Sequence, residues 1–318
     1  MPTRYVLTVT LNAAVDTTYV FDGFATGGIH TVAEMTRVAG GKGNNVARVL
    51  KTLGAPVVAT GFAGGQAGAF ICETLQAEGV DVQYEPTPGE SRTCFALVDR
   101  QGGTLTEIRE KGPPIPLGAA EGFLARYRRL LEGAVSVVIS GSQPPGIPAD
   151  YYAQLVSAAR SRGVFTVLDS SGKALADALA AWPDLVKPNR DELAEWAGRP
   201  LPGGDEGRGA ALTAAGALRA AGPGAVAVTL GAAGLLYVGS EGTWAVRPPA
   251  ITAVNPVGSG DSLVAGVTAG LFWGLPLPEA LRLGVAAGTA NALTPAVAAP
   301  RPADIERIRS QVIVERLD

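Results

Sequence analysis

The chain is poor in the residues from which metal and disulfide chemistry is built. Its 318 residues include two cysteines, Cys72 and Cys94, and one histidine, His30. Two cysteines are too few for a disulfide framework or a structural zinc site, and one histidine excludes a histidine-based metal cluster. Charge of one sign is scarce too: 26 Lys and Arg stand against 29 Asp and Glu, a net charge of −3. No basic field advertises nucleic acid or an anionic membrane. The longest apolar run, residues 263–275, falls short of the ~20 residues that a bilayer span needs and reads as a buried helix. The opening "MPTRYVLTVTLN" has no long apolar stretch, so no signal peptide is expected. These absences predict a soluble, cytoplasmic protein with no nucleic-acid or membrane partner.

What is present excludes disorder. Hydrophobic residues make up 47% and charged residues 17%, so burial can outweigh the entropy of ordering. The 42 glycines are about twice the average share. Without a three-residue period they do not suit collagen, and they point to tight turns and loops that approach a ligand closely. Valine-rich runs at 5–10, 57–62, 135–140, 164–169, 185–187 and 225–230 show little alternation, as strands buried on both faces should. Helical stretches at 44–53, 67–78, 119–132, 149–162, 173–181 and 205–221 lie between them. That rhythm predicts an α/β fold with a mainly parallel sheet between two helical layers. Two segments break it. Residues 17–24 with 30–38, and 93–99 with 105–110, alternate apolar and polar residues around glycine-bearing turns. They predict a small β-sheet lid, built from insertions at about 17–38 and 92–110 into one domain spanning 1–318.

Five motifs could carry chemistry. In "NPVGSGDSLVAGV", 255–267, Gly258, Ser259 and Gly260 lead into Asp261 and an apolar helix. Free amides at such a helix start make an anion site, and an aspartate there could serve as a base; an Asp N-cap after a turn is the plainer alternative. "AGGKGNNVARVLKTLG", 39–54, is a second glycine turn into a helix. It is no Walker A loop, because Gly43 follows Lys42. Gly40, Gly41, Lys42, Gly43 and Asn45 could hold hydroxyls and an anion, or form only a flexible turn with a surface lysine. "TLNAAVD" sets Asn12 and Asp16 just past the first strand, where ligands of open α/β sheets sit; a turn-forming Asp is the alternative. "VKPNRDEL" sets Asn189 and Glu192 three apart, which suits either hydrated Mg²⁺ or a capping box. "VTLGAAGLLYV", 228–238, is a strand, a glycine turn and a strand.

Taken in this order, the motifs resemble the PfkB (ribokinase-like) carbohydrate kinases over nearly the whole chain. The two signatures, "GGKGNNVARVLKTLG" and "NPVGSGDS", lie about 200 residues apart. "TLNAAVD", "SGSQPPG" at 140–146, "KPNRDEL" and "GVAAGTANAL" look like the branch that phosphorylates ketohexose phosphates. The resemblance implies a ribokinase-like three-layer core, ATP and Mg²⁺. Asp261 would take the proton of the acceptor hydroxyl, with the amides of Gly258, Ser259 and Gly260 around the transferring phosphoryl. Asp16, Gly41, Lys42 and Asn45 would bind the sugar, and Arg92 and Ser142 its existing phosphate. Lys187, Asn189, Thr229, Gly231 and Gly234 would border ATP, Asn291 would lie near adenine, and Asn189 and Glu192 would order Mg²⁺ through water.

The resemblance further implies a homodimer joined through the lid. Fructose 1-phosphate is the first expectation for the acceptor, ahead of tagatose 6-phosphate and fructose 6-phosphate. An unphosphorylated sugar or nucleoside, or a non-catalytic sugar-phosphate-binding regulator, are the alternatives. The chain departs from the branch where a phosphate would be held. Cys94 replaces the asparagine of Arg-x-Asn, Arg109 stands where Asn-Glu is usual, and Gly28 and His30 replace basic residues. Lys42 and Arg109, or His30 at a strand start, could compensate.

Overall fold

The structure is a computed structural model that describes residues 2–318. An eleven-stranded sheet organises it. From one edge the strands run Ile313–Arg316, Gly242–Arg247, Leu235–Gly239, Ala225–Thr229, Leu185–Val186, Phe165–Asp169, Ala134–Ser140, Tyr5–Thr10, Val57–Ala63 and Asp81–Val82. Glu85–Pro86 also pairs with Val57–Ala63. Every pairing from Ala225–Thr229 to Asp81–Val82 is parallel, and the three at the opposite edge are antiparallel. The valine-rich runs are the parallel strands. The antiparallel edge was only half legible, because "GTWAVR" and the short, polar "IVER" carry a weaker apolar signal than strands covered on both faces.

Each central strand feeds two cores, because its side chains alternate across the sheet. Tyr5, Leu7 and Val9 pack with helices Leu117–Leu130, Tyr151–Arg160 and Gly204–Ala220. Val6 points the other way, as do Ala59 and Val138, into the layer of helices Lys42–Leu53, Ser259–Phe272 and Leu277–Asn291.

The last two of these helices touch through glycine. A Cβ on Gly266 would lie 2.7 Å from Gly284 Cα, and one on Gly284 would meet the Val267 side chain and Leu263 O. Since helix Ser259–Phe272 carries Asp261, this contact sets the position of the site. Gly284→Val should cost about 1–3 kcal/mol by overpacking. Gly216→Ala, where nothing lies within 4 Å, should be neutral or slightly stabilising. Denaturant melts of the two variants check this.

The two inserted segments form one four-stranded sheet, in the order Glu34–Gly40, Ala14–Phe21, Arg92–Asp99 and Thr104–Arg109. The two outer pairings are antiparallel, and the central one, Ala14–Phe21 with Arg92–Asp99, is parallel. The first strand begins three residues earlier than the alternation indicates, so Asp16 sits within a strand and not in a turn. His30 precedes its strand, which starts at Glu34. Its ring packs 4.9 Å from that of Phe24, with Nε2 2.7 Å from Ala25 O.

Candidate active site

The carboxyl ends of the parallel strands open into a cleft of about 1510 Å³, roofed on one side by the small sheet. The cleft floor is a set of polar residues at the carboxyl ends of strands: Thr10, Ser140, Asp169 and Thr229. The sequence motifs converge there. Asp16, Gly41, Lys42, Asn45, Arg92, Ser142, Lys187, Asn189, Thr229, Gly231, Gly234 and the turn 258–261 all line it.

Gly258 ends the loop at φ 81°, a left-handed conformation in which a Cβ would also press on Ala298 N at 2.9 Å. The helix then starts at Ser259, and its first intrahelical bond is Ser262 N–H to Gly258 O. Ser259 N–H is turned to Pro256 O at 3.1 Å. Among the described residues no backbone acceptor takes the N–H of Gly258, Gly260 or Asp261. Of the three amides expected to face a phosphoryl group, those of Gly258 and Gly260 are thus without a backbone acceptor while that of Ser259 has one, and Asp261 N–H is also without one. Lys187 Nζ lies 3.7 Å from where a Gly260 Cβ would be, which adds an ammonium to the same turn.

Asp261 is the buried acid of this turn, 7% exposed. Asn45 Nδ2 donates to its Oδ2 at 2.8 Å, and Arg48 Nη1 lies 3.4 Å from Asn45 Oδ1. Burial, and then repulsion from Asp169, lift its pKa to about 7; Lys42, Asn45 and Lys187 hold it from rising further. A carboxylate that takes up its proton near neutrality suits proton abstraction.

Asp169 was not marked as a site residue by its sequence context. It closes the apolar strand "FTVLD" and is wholly buried. Its Oδ1 lies 3.2 Å from Lys42 Nζ and 3.3 Å from Lys187 Nζ, while Oδ2 has no hydrogen-bond partner among the described residues. Burial alone would raise this carboxyl, but the two lysines hold it below its ordinary value. Glu192, 3.5 Å from Lys42, pushes that lysine's pKa upward together with Asp169, the larger cause. The only hint in sequence was an acidic residue at the end of a buried strand.

Asp16 lies against Gly40, where a Cβ would collide with its carboxyl group. Burial raises its pKa despite the opposing charges of Arg92, Arg48 and Arg109. Asn189 and Glu192 form a full capping box: Asn189 Oδ1 accepts from Glu192 N–H, and Glu192 Oε2 accepts from Asn189 N–H, both at 2.8 Å. The plainer alternative for this pair is thus realised. Each oxygen keeps a second lone pair, which leaves water-mediated contact to a cation open. Asn291 stands behind the cleft wall rather than on it. Its Nδ2 donates to Val257 O at 2.8 Å and Ser259 Oγ at 3.2 Å, and its Oδ1 accepts from Ala299 N–H at 3.2 Å. It braces the glycine turn, with no donor left for a base. His30 is not among the residues lining the cleft of its own chain.

Magnesium fits this donor set only indirectly. Among the described residues no group of three or more His, Cys, Asp or Glu could hold a metal ion. The unpartnered Oδ2 of Asp169 and the capping-box oxygens match an ion that keeps much of its water and binds chiefly to phosphates. No described helix is long and apolar enough to cross a membrane.

Comparison with known proteins agrees with this geometry. The family profile described as pfkB family carbohydrate kinase matches residues 9–304. Phosphofructokinase-2 from Escherichia coli, solved with fructose-6-phosphate, is 31% identical, covers 97% of this chain and 99% of its own, and superposes with a TM-score of 0.87. A Staphylococcus aureus structure provisionally assigned as a phosphofructokinase is 34% identical over 98% and 99% of the two chains, with a TM-score of 0.83. A Thermotoga maritima protein solved as a "possible 1-phosphofructokinase" is 29% identical over 99% and 100%, with a TM-score of 0.88. The fold is the ribokinase-like one that the motifs implied.

Proposed function

The chain belongs to the pfkB family of carbohydrate kinases, and on that premise we propose that it transfers a phosphoryl group from ATP to a ketohexose phosphate, fructose 1-phosphate first, giving fructose 1,6-bisphosphate. The observation that carries the reading is the turn 258–261: a buried carboxylate with a pKa near 7 beside free amides and the Lys187 ammonium. Asp261 takes the proton of the acceptor hydroxyl as its oxygen attacks the terminal phosphorus. The bond from that phosphorus to the bridging oxygen breaks, and ADP leaves with its electron pair. The amides of Gly258, Gly260 and Asp261, with Lys187, meet the charge that gathers on the transferred group. Mg²⁺ would offset phosphate charge, held through water by Asn189 and Glu192 and near Asp169. Asp16, Gly41, Lys42 and Asn45 hold the sugar. Thr229, Gly231 and Gly234 border the nucleotide.

The small sheet serves as a lid that keeps water from the transfer. It also offers a dimer contact, since Ile29, Met35, Leu105 and Ile108 are exposed on it or its connecting loop. Fructose 6-phosphate is the second reading for the acceptor, favoured by the Escherichia coli relative's bound sugar. An ADP-release screen over fructose 1-phosphate, fructose 6-phosphate, tagatose 6-phosphate, fructose and ribose tests this. Turnover should be confined to the phosphorylated sugars and be fastest with fructose 1-phosphate. Turnover of only fructose or ribose overturns the reading.

A further inference from the structure

The Arg109 guanidinium lines the cleft and has no role in the scheme above. The register of the small sheet lays its cleft-facing residues in rows. Asp16 lies opposite Cys94, and Cys94 opposite Arg109; in the next row Thr18 lies opposite Ala96, and Ala96 opposite Glu107. All six line the cleft. Arg109 is close enough to Asp16 to act on its carboxyl group.

Arg92 and Arg109 differ in what already occupies them. Arg92 donates through Nε to Asn12 O and through Nη1 to Glu110 O, both at 3.0 Å. Asn12 in turn donates to Lys111 O at 3.2 Å and Ser142 Oγ at 3.1 Å. Arg92 is thus part of a brace between the small sheet and the strand ends, and two of its donors are spent on backbone. Among the described residues the Arg109 side chain has a single partner, Glu107, two residues away on its own strand. Its side chain is 70% exposed, and such an exposed pair is held weakly. Of these two it is the guanidinium freer to turn a forked face to an anion.

We propose that Arg109 is the specificity-determining residue that grips the phosphate already present on the acceptor sugar, exchanging Glu107 for it. This rests on the sugar-phosphate reading above. Glu107 holds the guanidinium at the cleft face when substrate is absent, and competes with the phosphate when it arrives. Cys94, two residues beyond Arg92 on its strand and opposite Arg109, lines the cleft with both and is smaller than an asparagine. Arg109 and Glu107 thus act on phosphate binding with opposite signs, which the two halves of a structural ion pair would not.

The test is initial-rate kinetics on the purified enzyme with ATP and whichever of the three ketohexose phosphates it turns over best. Arg109→Ala should raise KM for that sugar phosphate by about 10- to 100-fold, the loss of a charged hydrogen-bonding partner. KM for ATP should not change, and Arg109→Lys should recover part of the loss. Glu107→Gln should lower the sugar-phosphate KM several-fold. If Arg109→Ala leaves that KM within about twofold, or Glu107→Gln raises it, the proposal is overturned while the kinase reading stands. If the wild-type enzyme turns over none of the three sugar phosphates, the kinase reading falls and this inference falls with it.

Discussion

Asp261→Asn should lower kcat by about 10²–10⁴-fold, the usual worth of a positioned base, while ATP still binds. Asparagine keeps the size of the side chain, and its oxygen can still accept the 2.8 Å bond from Asn45 Nδ2. What it loses is the capacity to take a proton. The wild-type pH profile should carry the same signature. With its pKa raised to about 7, Asp261 is protonated at lower pH and cannot accept the hydroxyl proton. The rate should therefore fall about tenfold per unit below pH 7 and level off above it, the apparent value belonging to the Asp261–Asp169 pair together. Stopped assays of kcat across pH 5.5–9, with nucleotide binding measured separately by calorimetry, decide it. A variant with wild-type turnover would remove Asp261 from the chemistry.

Asp169→Asn should produce the largest loss of stability among the site variants. Asp169 is the shared counter-ion of Lys42 and Lys187, at 3.2 and 3.3 Å. Lys187 is only 4% exposed, so without Asp169 it becomes a buried charge with no ion-pair partner within 4 Å among the described residues, a defect that typically costs about 3–5 kcal/mol. Lys42 keeps Glu192 at 3.5 Å and more solvent, and contributes less. The sign with pH follows from the direction of the shift. Asp169 is held below its ordinary value in the folded protein. Its stabilising contribution is full above the unfolded-state pKa of about 4 and is lost as pH falls through the folded value. The gap between wild type and variant in urea unfolding should thus be widest at neutral pH and close in acid. The same substitution removes the charge that repels the ionised Asp261, so the acid limb of kcat should move to lower pH. An unmoved limb would show that the two carboxylates do not act on each other.

The parts of this protein that follow from local physics were legible in the residues. A strand covered on both faces needs apolar side chains on both, so "YVLTVT", "VVATGFA" and "AVSVVIS" show themselves as runs. A backbone that turns sharply into a helix needs glycine, so "GGKG" and "GSG" marked the two ends of the site. Strand limits in the small sheet were less certain, because hydrogen bonding to a neighbour extended the pairing of Ala14–Phe21 past the alternating stretch. Asn291 was drawn toward the nucleotide by its motif. Tertiary packing spends its carboxamide nitrogen on the glycine turn and its oxygen on Ala299 N–H.

What the sequence by itself determined is the α/β order of elements, the glycine turns and the acidic residue proposed here as the base, since each depends on residues close in the chain. What only the tertiary structure decided is how charges far apart in sequence are set against one another. Asp169 meets Lys42 across 127 residues, and Asn45 meets Asp261 across 216. The sequence holds no periodic trace of such pairs, because they arise where separate strand ends and helix starts are brought to one edge of the sheet. There the protein interior screens charges far less than water does, and each neighbour shifts the other's proton affinity.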